Sequence, residues 1–308
     1  MYGWLLAAVL TIAGLHPVAT IATGGTPDWM AISPDSVWIA NDAIKSVQRV
    51  DARTNRLTAT IAVGGEPCSG LAFAFGSLWS PICGKRASLD RIDPRTNAVT
   101  DVFPIRPRNS EGGITASSDS VWIATSDGNL SRIDPASGRV RQRIAIPSGS
   151  FNALYSGGIV WLTSGEHDEL LAIDANSGRV LGKTPVGSKP RFLTANGGFV
   201  WTLNQGDGTI SKVDAATKRV VATIDAHVPG RGGEITYGDG SVWATLIKTP
   251  LTRVDARTNA ILGQWVGIGG DAVRFGHGSI WLTDYDHGRV WRIAPEVTDR
   301  RPGPLRSP

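Results

Sequence analysis

A tryptophan recurs along the chain at intervals of 38 to 43 residues, and this repeat constrains the fold more than any other feature. Its seven members are Trp38, Trp79, Trp122, Trp161, Trp201, Trp243 and Trp281. An aspartate follows six of them after 12 to 14 residues, at Asp51, Asp93, Asp134, Asp174, Asp214 and Asp255. Because a propeller blade of four strands needs about forty residues, seven such units predict a seven-bladed propeller.

Each repeat unit divides into four short segments with the composition of strands. Around Trp79 these segments are GLAFA (70–74), SLWSP (77–81), SLDRID (88–93) and AVTDVFPI (98–105), with turn residues between them. β-Branched and aromatic residues favour strands, and no stretch spaces its apolar residues as a helix would. The predicted fold class is therefore all-β, a seven-bladed β-propeller with four antiparallel strands per blade.

The repeated residues have structural explanations. One four-stranded sheet cannot bury both of its faces alone, so we interpret the tryptophan as the side chain that packs between neighbouring blades. The aspartate opens the turn between the third and fourth strands, as in VDARTNRL (50–57), where its carboxylate can accept hydrogen bonds from backbone N–H groups. A functional array of six acids is the alternative, and turn formation is the favoured interpretation.

The two ends of the repeat region complement each other. PVATIATGG (17–25) matches the fourth-strand segment TATIAVGG (58–65) but has no three strands before it. At the other end, AVRF (272–275), SIWLT (279–283) and RVWRIAP (289–295) supply three strands without a fourth. The N-terminal strand is therefore predicted to pair into the last blade and close the ring, which leaves no free sheet edge.

Residues 17–296 then form one domain, and the segments on either side differ in composition. Residues 1–16 hold an apolar run from Trp4 to Leu15 that is too short to span a bilayer and is typical of a secretory signal. The protein is therefore predicted to be exported, either periplasmic or secreted, with no stable membrane span in the mature chain. The basic, proline-rich tail at 297–308 is predicted to be disordered.

Net charge gives no indication of a polyanionic partner. The whole chain carries +4 at pH 7, and the tail contributes about half of this through Arg300, Arg301 and Arg306 against Asp299. The blades are close to neutral, so neither nucleic acid nor an anionic membrane is expected as a partner. We expect the chain to be a monomer.

The two cysteines, Cys68 and Cys83, flank one predicted hairpin. If that hairpin turns at Phe75-Gly76, residues whose numbers sum to 151 face each other, and the two cysteines satisfy this condition. Adjacent-strand geometry would then bring the two sulfur atoms within bridging reach, and an exported protein favours a disulfide. The alternative, a metal or redox pair, lacks the CxxC spacing and a nearby histidine.

Candidate ligand-binding residues gather at one end of the predicted ring. The blade order brings together the loops that precede each first strand and the loops that join second to third strands. Because these loops are the least regular part of the repeat, any ligand site is expected there, over the central channel. The candidates are Asp28, Trp29, Asn41, Arg191, Asn204, Glu234, Asp271, Asp284 and Tyr285. For any single one of them, a solvated loop side chain is the alternative interpretation.

The common catalytic motifs are missing from the sequence. The chain has no HExxH, no GxSxG, no phosphate-cradling glycine loop and no cluster of histidines at metal-ligand spacing. His167 and His287 fall on blades four and seven, nearly across the ring, so a shared metal is not expected. This pattern favours binding over catalysis.

The run VDARTNRLTATIAVGGEP (50–67), followed by GSLW, resembles the YVTN-type propeller repeats of exported bacterial proteins. Those repeats combine an Ile-Asp-x-x-Thr-Asn turn with a strand that ends in Val-Gly-x-x-Pro. The resemblance covers residues 17–296. It implies a propeller fold and a binding role outside the cytoplasm.

The chain also resembles, more distantly, the streptogramin (virginiamycin B) lyases, in its seven blades and its tryptophan-bearing second strands. Those enzymes open a cyclic depsipeptide by metal-assisted elimination, with a histidine near the start of late-blade first strands and a glutamate after the tryptophan strand. Here the corresponding stretches carry Glu234 and Asp271, and Asp284 follows IWLT. The base histidine is absent from those positions, which leaves His287 as the candidate proton acceptor.

Two functions follow from these observations. The leading hypothesis is an exported, non-catalytic propeller that binds a protein, peptide or glycan ligand on this end of the ring and requires no cofactor. The alternative is a metal-dependent lyase or hydrolase of the streptogramin-lyase type, acting on a cyclic ester or lactone. Its catalytic groups would be Glu234, Asp271, Asp284 and His287, and carboxylate ligands would favour Mg²⁺ or Ca²⁺ over Zn²⁺.

Overall fold

Seven antiparallel sheets make up the computed structural model, which describes residues 15–108, 113–228, 230 and 232–296. The first strand of each sheet lines a central channel and the fourth strand is outermost. The predicted fold class, an all-β seven-bladed propeller with four antiparallel strands per blade, is confirmed. Within the described part of the chain, no helix has the length and apolarity needed to cross a membrane.

The strands follow the repeat unit from blade to blade. The strands of blade one are Pro27–Ile32, Ser36–Asn41, Ser46–Asp51 and Arg56–Ala62, and those of blade two are Glu66–Pro67 with Ala72–Ala74, Ser77–Cys83, Ser88–Asp93 and Ala98–Phe103. The strands of blade three are Ile114–Ala116, Val121–Thr125, Asn129–Ile133 and Val140–Ala145, and those of blade four are Ser150–Ser156, Ile159–Ser164, Glu169–Asp174 and Val180–Pro185. Those of blades five to seven are Pro190–Asn196, Phe199–Asn204, Thr209–Asp214 and Arg219–Asp225; Glu234–Gly238, Ser241–Leu246, Thr249–Asp255 and Ile261–Trp265; and Val273–Gly276, Ser279–Asp284 and Arg289–Ile293 with Ala19–Ala22. A 3₁₀ turn, Tyr285–His287, lies between the second and third strands of blade seven.

The last blade combines strands from both ends of the chain. Ala19–Ala22 pairs antiparallel with Arg289–Ile293, and Ile21 faces Val290 in this ladder. The N-terminal strand is therefore the outermost strand of blade seven. Most of the predicted signal and the whole predicted tail lie outside the described residues. Leu15 is described and is buried against Trp243 and Leu251.

The repeated tryptophans are the largest side chains of the core, and none is more than 2% exposed. Several satisfy their indole N–H within their own blade. Trp38 donates to the Ser33 hydroxyl at 3.0 Å, and Trp243 donates to the Gly238 carbonyl at 2.9 Å. Burial of such a ring removes ~150–250 Å² from water, so these side chains supply a large part of the apolar packing between blades.

In at least five blades, a cation on the third strand joins the repeated tryptophan to the next blade. These inter-blade cations are Arg49, Arg91, Arg132, Lys212 and Arg292. Each lies 5.0 to 5.8 Å from the ring of its own tryptophan. Each also donates to a backbone carbonyl in the outer turn of the following blade. The interaction thus couples a cation–π contact to a charged hydrogen bond across the blade boundary.

The aspartates of the repeat form turns, as predicted. Asp51 accepts hydrogen bonds from the backbone N–H groups of Arg53 and Thr54 and from the Thr54 hydroxyl. The Thr54 bonds lower the pKa of Asp51. In blade three, the Ser137 backbone N–H and Arg141 lower the pKa of Asp134 to about 2. These carboxylates are engaged in their own turns, and their role is structural.

The predicted disulfide between Cys68 and Cys83 is present, with Cα atoms 5.8 Å apart. The predicted register is correct near the turn, where Ala74 faces Ser77, but wrong at the cysteines. There Pro67 faces Ile82, and the Cys68 N–H donates to the Pro81 carbonyl at 2.9 Å. The cause is a break in the inner strand at Ser69 and Gly70, which both adopt positive φ and shift the pairing by two residues.

Arg292 is the inter-blade cation that joins blade seven to blade one, through the Ala52 carbonyl at 2.6 Å and the Asn55 side chain at 2.8 Å. Arg292→Met keeps the apolar stem over Trp281 and removes both of these bonds, together with the bonds to Ser279 and His277 within blade seven. We expect it to lower the free energy of unfolding by ~1.5–3 kcal/mol, as measured by urea denaturation. Arg56→Met, at an exposed arginine of an outer strand, is the matched control. Equal stability of the two variants would contradict a role for this contact in joining the ring.

Candidate functional site

The two predicted loop sets meet at one end of the ring and enclose a cavity of about 460 Å³. This mouth cavity is lined by residues of blades one, two, five, six and seven. Its carboxyl groups are Asp28, Asp42, Glu66, Glu234 and Asp271, its aromatic rings are Trp29, Phe192 and Tyr285, and its cation is Arg191. Trp29 also lines the central channel beneath, a space of about 370 Å³. The cavity therefore combines negative charge with aromatic surface at the opening of the channel.

Bulges in two inner strands turn candidate side chains toward the mouth cavity. In blade one the pairing shifts between Pro27 and Met30, and Asp28 and Trp29 fall within the shift. In blade five the shift lies at Arg191, between Pro190 and Phe192. A bulge leaves a residue out of the ladder and changes the direction of its side chain. This irregularity allows consecutive residues to line the same cavity.

Glycines bring the loop of blade six close to its neighbours. Gly232 and Gly233 both have positive φ, at +69° and +87°. A Cβ atom on Gly233 would overlap the Thr245 carbonyl oxygen, so no other residue fits without a shift of the backbone. The close approach lets the Gly233 N–H donate to an Asp271 carboxylate oxygen at 3.0 Å. One wall of the cavity thus depends on glycine at this position.

Asp28 and Asp271 form a hydrogen-bonded pair of carboxyl groups in the cavity. Burial is the main cause that raises the pKa of Asp28 well above its usual range, and the charge of Asp271 raises it further. Burial also raises the pKa of Asp271, although the Gly233 N–H and Arg191 oppose this change. Two carboxyl groups this close do not both ionise readily, so ionisation of one opposes ionisation of the other.

Asp42 and Glu234 are two further acids with raised pKa values. Burial, followed by the charges of Glu66 and Asp271, raises the pKa of Asp42 to about 7. The Oδ1 atom of Asp42 is buried and has no hydrogen-bond partner among the described residues. Burial also raises the pKa of Glu234 to about 7, despite its ion pair with Arg274. Among the described residues, the lining of the cavity therefore holds more carboxyl groups than cations.

An aromatic and cationic stack forms the wall of the cavity on blade five. The Arg191 guanidinium lies 5.0 Å from the centre of the Phe151 ring and 5.6 Å from that of Phe192. Its Nη1 donates to the Gln205 side-chain carbonyl at 3.3 Å. Phe192 in turn packs on Trp29, with ring centres 5.9 Å apart. These contacts fix the positions of the aromatic faces that border the acids.

The structure brings six of the predicted residues together at the mouth cavity: Asp28, Trp29, Arg191, Glu234, Asp271 and Tyr285. Asp42 belongs to the same loop sets but was not among the candidates. Sequence reasoning missed Glu66 and Phe192. Glu66 follows the VGG end of an outer strand, and Phe192 follows a bulge that has no sequence signal.

The other predicted residues lie outside the lining of this cavity. Asn41 accepts a hydrogen bond from the Thr26 N–H at 3.0 Å, and Asn204 donates to the Thr209 and Ser211 hydroxyl groups, both at 2.9 Å. The Asp284 carboxylate is fully buried and bonds to Arg289 at 2.7 Å and His287 at 2.8 Å. All three occupy the last position of a second strand and brace the loop there.

A metal site was also considered in the sequence. Within the described residues, no group of three His, Cys, Asp or Glu side chains is arranged to hold a metal ion. Of the proposed catalytic acids, Asp284 has both carboxylate oxygens engaged by His287 and Arg289, while Asp271 is paired with Asp28. The described residues as positioned therefore do not fit Mg²⁺ or Ca²⁺, and we derive no step through either ion.

Comparison with solved structures identifies similar propellers. The crystal structure of BamB from Moraxella catarrhalis aligns with a TM-score of 0.66 and 11% identity, over 93% of this chain and 95% of that one. A streptogramin B lyase structure aligns with a TM-score of 0.68 and 15% identity, over 88% of this chain and 93% of that one. At such low identity these similarities establish the fold alone.

Sequence comparisons add no family assignment. No protein-family model matches the chain, and no curated protein matches it either. The resemblance to YVTN-type repeats therefore stays a prediction.

The raised pKa values of the cavity acids make stability depend on pH. Between pH ~4 and ~7 the folded state binds more protons at Asp42 than the unfolded state does. The contribution of Asp42 therefore lowers the free energy of unfolding as pH rises through this range. Asp42→Asn removes that contribution. We expect the variant to exceed the parent protein in unfolding free energy at pH 8 by on the order of 2–4 kcal/mol, since one pKa unit corresponds to ~1.4 kcal/mol. Urea denaturation from pH 4 to 8 measures this difference, which should close toward pH 4.

Asp51→Asn is the matched control, because the pKa of this turn aspartate is lowered rather than raised. Its stabilising effect is fully present above the unfolded pKa of ~4 and is lost as pH falls through the lower folded value. This variant should be less stable than the parent protein at pH 8 and approach it in acid. Parallel pH profiles for Asp42→Asn and the parent protein would contradict the assignment.

Proposed function

We propose that this protein is an exported binding propeller whose mouth cavity receives a positively charged side chain of a protein or peptide ligand. The observation that carries the proposal is the convergence of five carboxyl groups and three aromatic rings on one open cavity of about 460 Å³. No catalytic step is part of this function.

The chemistry of the cavity supports a cationic ligand group. Burial, followed by the charges of the acids Glu66 and Asp271, raises the pKa of Asp42 to about 7. A lysine ammonium or arginine guanidinium in the cavity would favour the ionised form of these acids and lower their pKa values. The faces of Trp29 and Tyr285 would add cation–π attraction. Binding of the cation would therefore release protons from the acids.

Exposed apolar side chains near the cavity support a polypeptide ligand. Ile247 lines the cavity and remains 44% exposed. Ile44, two residues beyond Asp42, is 45% exposed, and Val266 in the loop that follows blade six is 60% exposed. Apolar side chains beside a polar cavity are typical of protein interaction sites. A peptide segment that presents a basic residue among apolar ones would satisfy both features.

Export is part of the proposal and has separate support. Disulfides persist in oxidising compartments, and this chain contains the bridge between Cys68 and Cys83. The predicted signal at residues 1–16 and the resemblance to YVTN-type repeats agree with a periplasmic or secreted protein.

A lyase or hydrolase is the second candidate function. Asp28 and Asp271 form a hydrogen-bonded pair near Tyr285, and paired carboxyl groups of this kind can serve as general acid and base. The substrate would be a cyclic ester or lactone, as the resemblance to streptogramin lyases suggests.

Calorimetric titration with a short peptide tests the binding function. We expect acetyl-Gly-Gly-Lys-Gly-Gly-amide to bind the parent protein, and the same peptide with Glu in place of Lys not to bind. Asp42→Asn should weaken binding of the Lys peptide about tenfold, or ~1.4 kcal/mol. Asp239→Asn, at an exposed turn in blade six on the other end of the ring, is the matched control and should bind as the parent protein does.

Three results would contradict the proposal. Equal binding of the Lys and Glu peptides would exclude recognition of positive charge. Binding of an uncharged hexasaccharide without binding of either peptide would assign the site to a glycan. Opening of a cyclic depsipeptide that requires Mg²⁺ or Ca²⁺ and stops with a chelator would favour the enzyme instead.

A further inference from the structure

We propose that the ligand is an extended peptide that occupies two adjoining cavities, with its basic side chain in the mouth cavity and an apolar side chain three residues away in a second groove. The second groove has a volume of about 630 Å³ and lies between blades four and five on the same end of the ring. The proposal rests on the proposed function and specifies the form of its ligand.

The two cavities share one wall. Arg191 lines both of them, and its guanidinium contacts the rings of Phe192 in the mouth cavity and Phe151 in the groove. A ligand that fills the mouth cavity and continues along this end of the ring would pass directly over the stack of Arg191 and its two phenylalanines. The stack therefore forms a bridge between the two cavities.

A hydrogen-bond chain ties this bridge to the acidic loop. Arg191 donates to the Gln205 side-chain carbonyl, and the Gln205 amide donates to the carbonyl of Gly232, which lines the mouth cavity. Gln205 is itself buried and lines the groove. The relative positions of the two cavities are thus fixed by direct contacts, as a single binding surface requires.

The surface of the groove suits a peptide backbone and an apolar side chain. Gly165, Gly206 and Gly230 lie on its lining, where the lack of side chains permits close approach of another backbone. Phe151 and Pro190 supply apolar surface beside them. The lining also contains charged side chains of both signs, so the groove itself selects neither a positive nor a negative ligand group.

The backbone of the groove is held in an unusual conformation. Asp168 and Lys189 both have positive φ, at 52° and 50°, and the Lys189 N–H donates to the Asp168 carboxylate at 2.7 Å. The same conformation occurs in other turns of the ring, for example at Lys45 and Asn55, so it bears on the shape of the groove and not on its occupant.

The width of the bridge sets the spacing of the two side chains. The Arg191 guanidinium lies 5.0 Å from the centre of the Phe151 ring and 5.6 Å from the centre of the Phe192 ring. An extended chain advances ~3.3 Å per residue, so a peptide that crosses from one ring to the other needs about three residues. The expected recognition sequence is therefore a basic residue followed or preceded, at the third position, by an aromatic or large aliphatic residue.

Fluorescence anisotropy with labelled octapeptides tests this proposal. The probe is fluorescein-Gly-Gly-Lys-Gly-Gly-Phe-Gly-Gly-amide, compared with its Phe→Gly version and with the reversed order Phe-Gly-Gly-Lys. We expect one of the two orders to bind the parent protein at least tenfold more tightly than the peptide with lysine alone. Phe151→Ala should abolish that advantage, so that the longer peptide and the lysine-only peptide bind this variant with equal affinity. A cooperative unfolding transition in urea shows that the variant is folded.

Phe75→Ala is the matched control, since Phe75 is an exposed phenylalanine in the turn between strands on the other end of blade two. It should keep the full advantage of the longer motif. The two-cavity proposal is wrong, and the binding function stands, if the lysine-only peptide binds but phenylalanine does not increase its affinity in either order. The same conclusion follows if the peptide with phenylalanine still binds Phe151→Ala more tightly than the lysine-only peptide does. If no lysine peptide binds the parent protein, the binding function and this proposal are both wrong.

Discussion

The contact between neighbouring blades is the interaction on which the rest of the structure depends. A buried tryptophan fills the space between two sheets, and in five blades a cation lies over its ring and reaches a carbonyl of the next outer turn. No blade can bury both faces alone, so each one is stabilised by its neighbours. The same contact joins blade seven to blade one through Arg292, where the first strand of the chain completes the last sheet.

This ring determines which loops can form a site, and irregular backbone determines which side chains enter it. Bulges at Asp28 and Arg191 interrupt the inner strands, and Gly233 lets one loop approach Asp271. The resulting cavity buries acids, and burial is the main cause that raises their pKa values. Contacts between the blades stabilise the folded state, and the buried acids of the mouth cavity destabilise it. Such an arrangement is expected where a ligand supplies the missing positive charge.

The sequence predicts the fold well because the fold depends on features with a period. The tryptophan spacing, the turn aspartates and the unmatched strands at the two ends all follow from the repeat. The site depends on departures from the repeat, which have no period. The break at Ser69 and Gly70 changed the register around the predicted disulfide without preventing it. Asn41, Asn204 and Asp284 lie in suitable loops, but their side chains form local hydrogen bonds and do not line the cavity. The sequence does not indicate these bonds.

The central proposal is that burial raises the pKa of Asp42 and Glu234 to about 7, and that a positive group of the ligand lowers these pKa values when it binds. Carbon-detected NMR titration of the Asp42 carboxyl group, with and without the lysine peptide, measures this directly. The account predicts a pKa of about 7 in the free protein and a lower value in the complex. A value near 4 in the free protein, unchanged by the peptide, would contradict it.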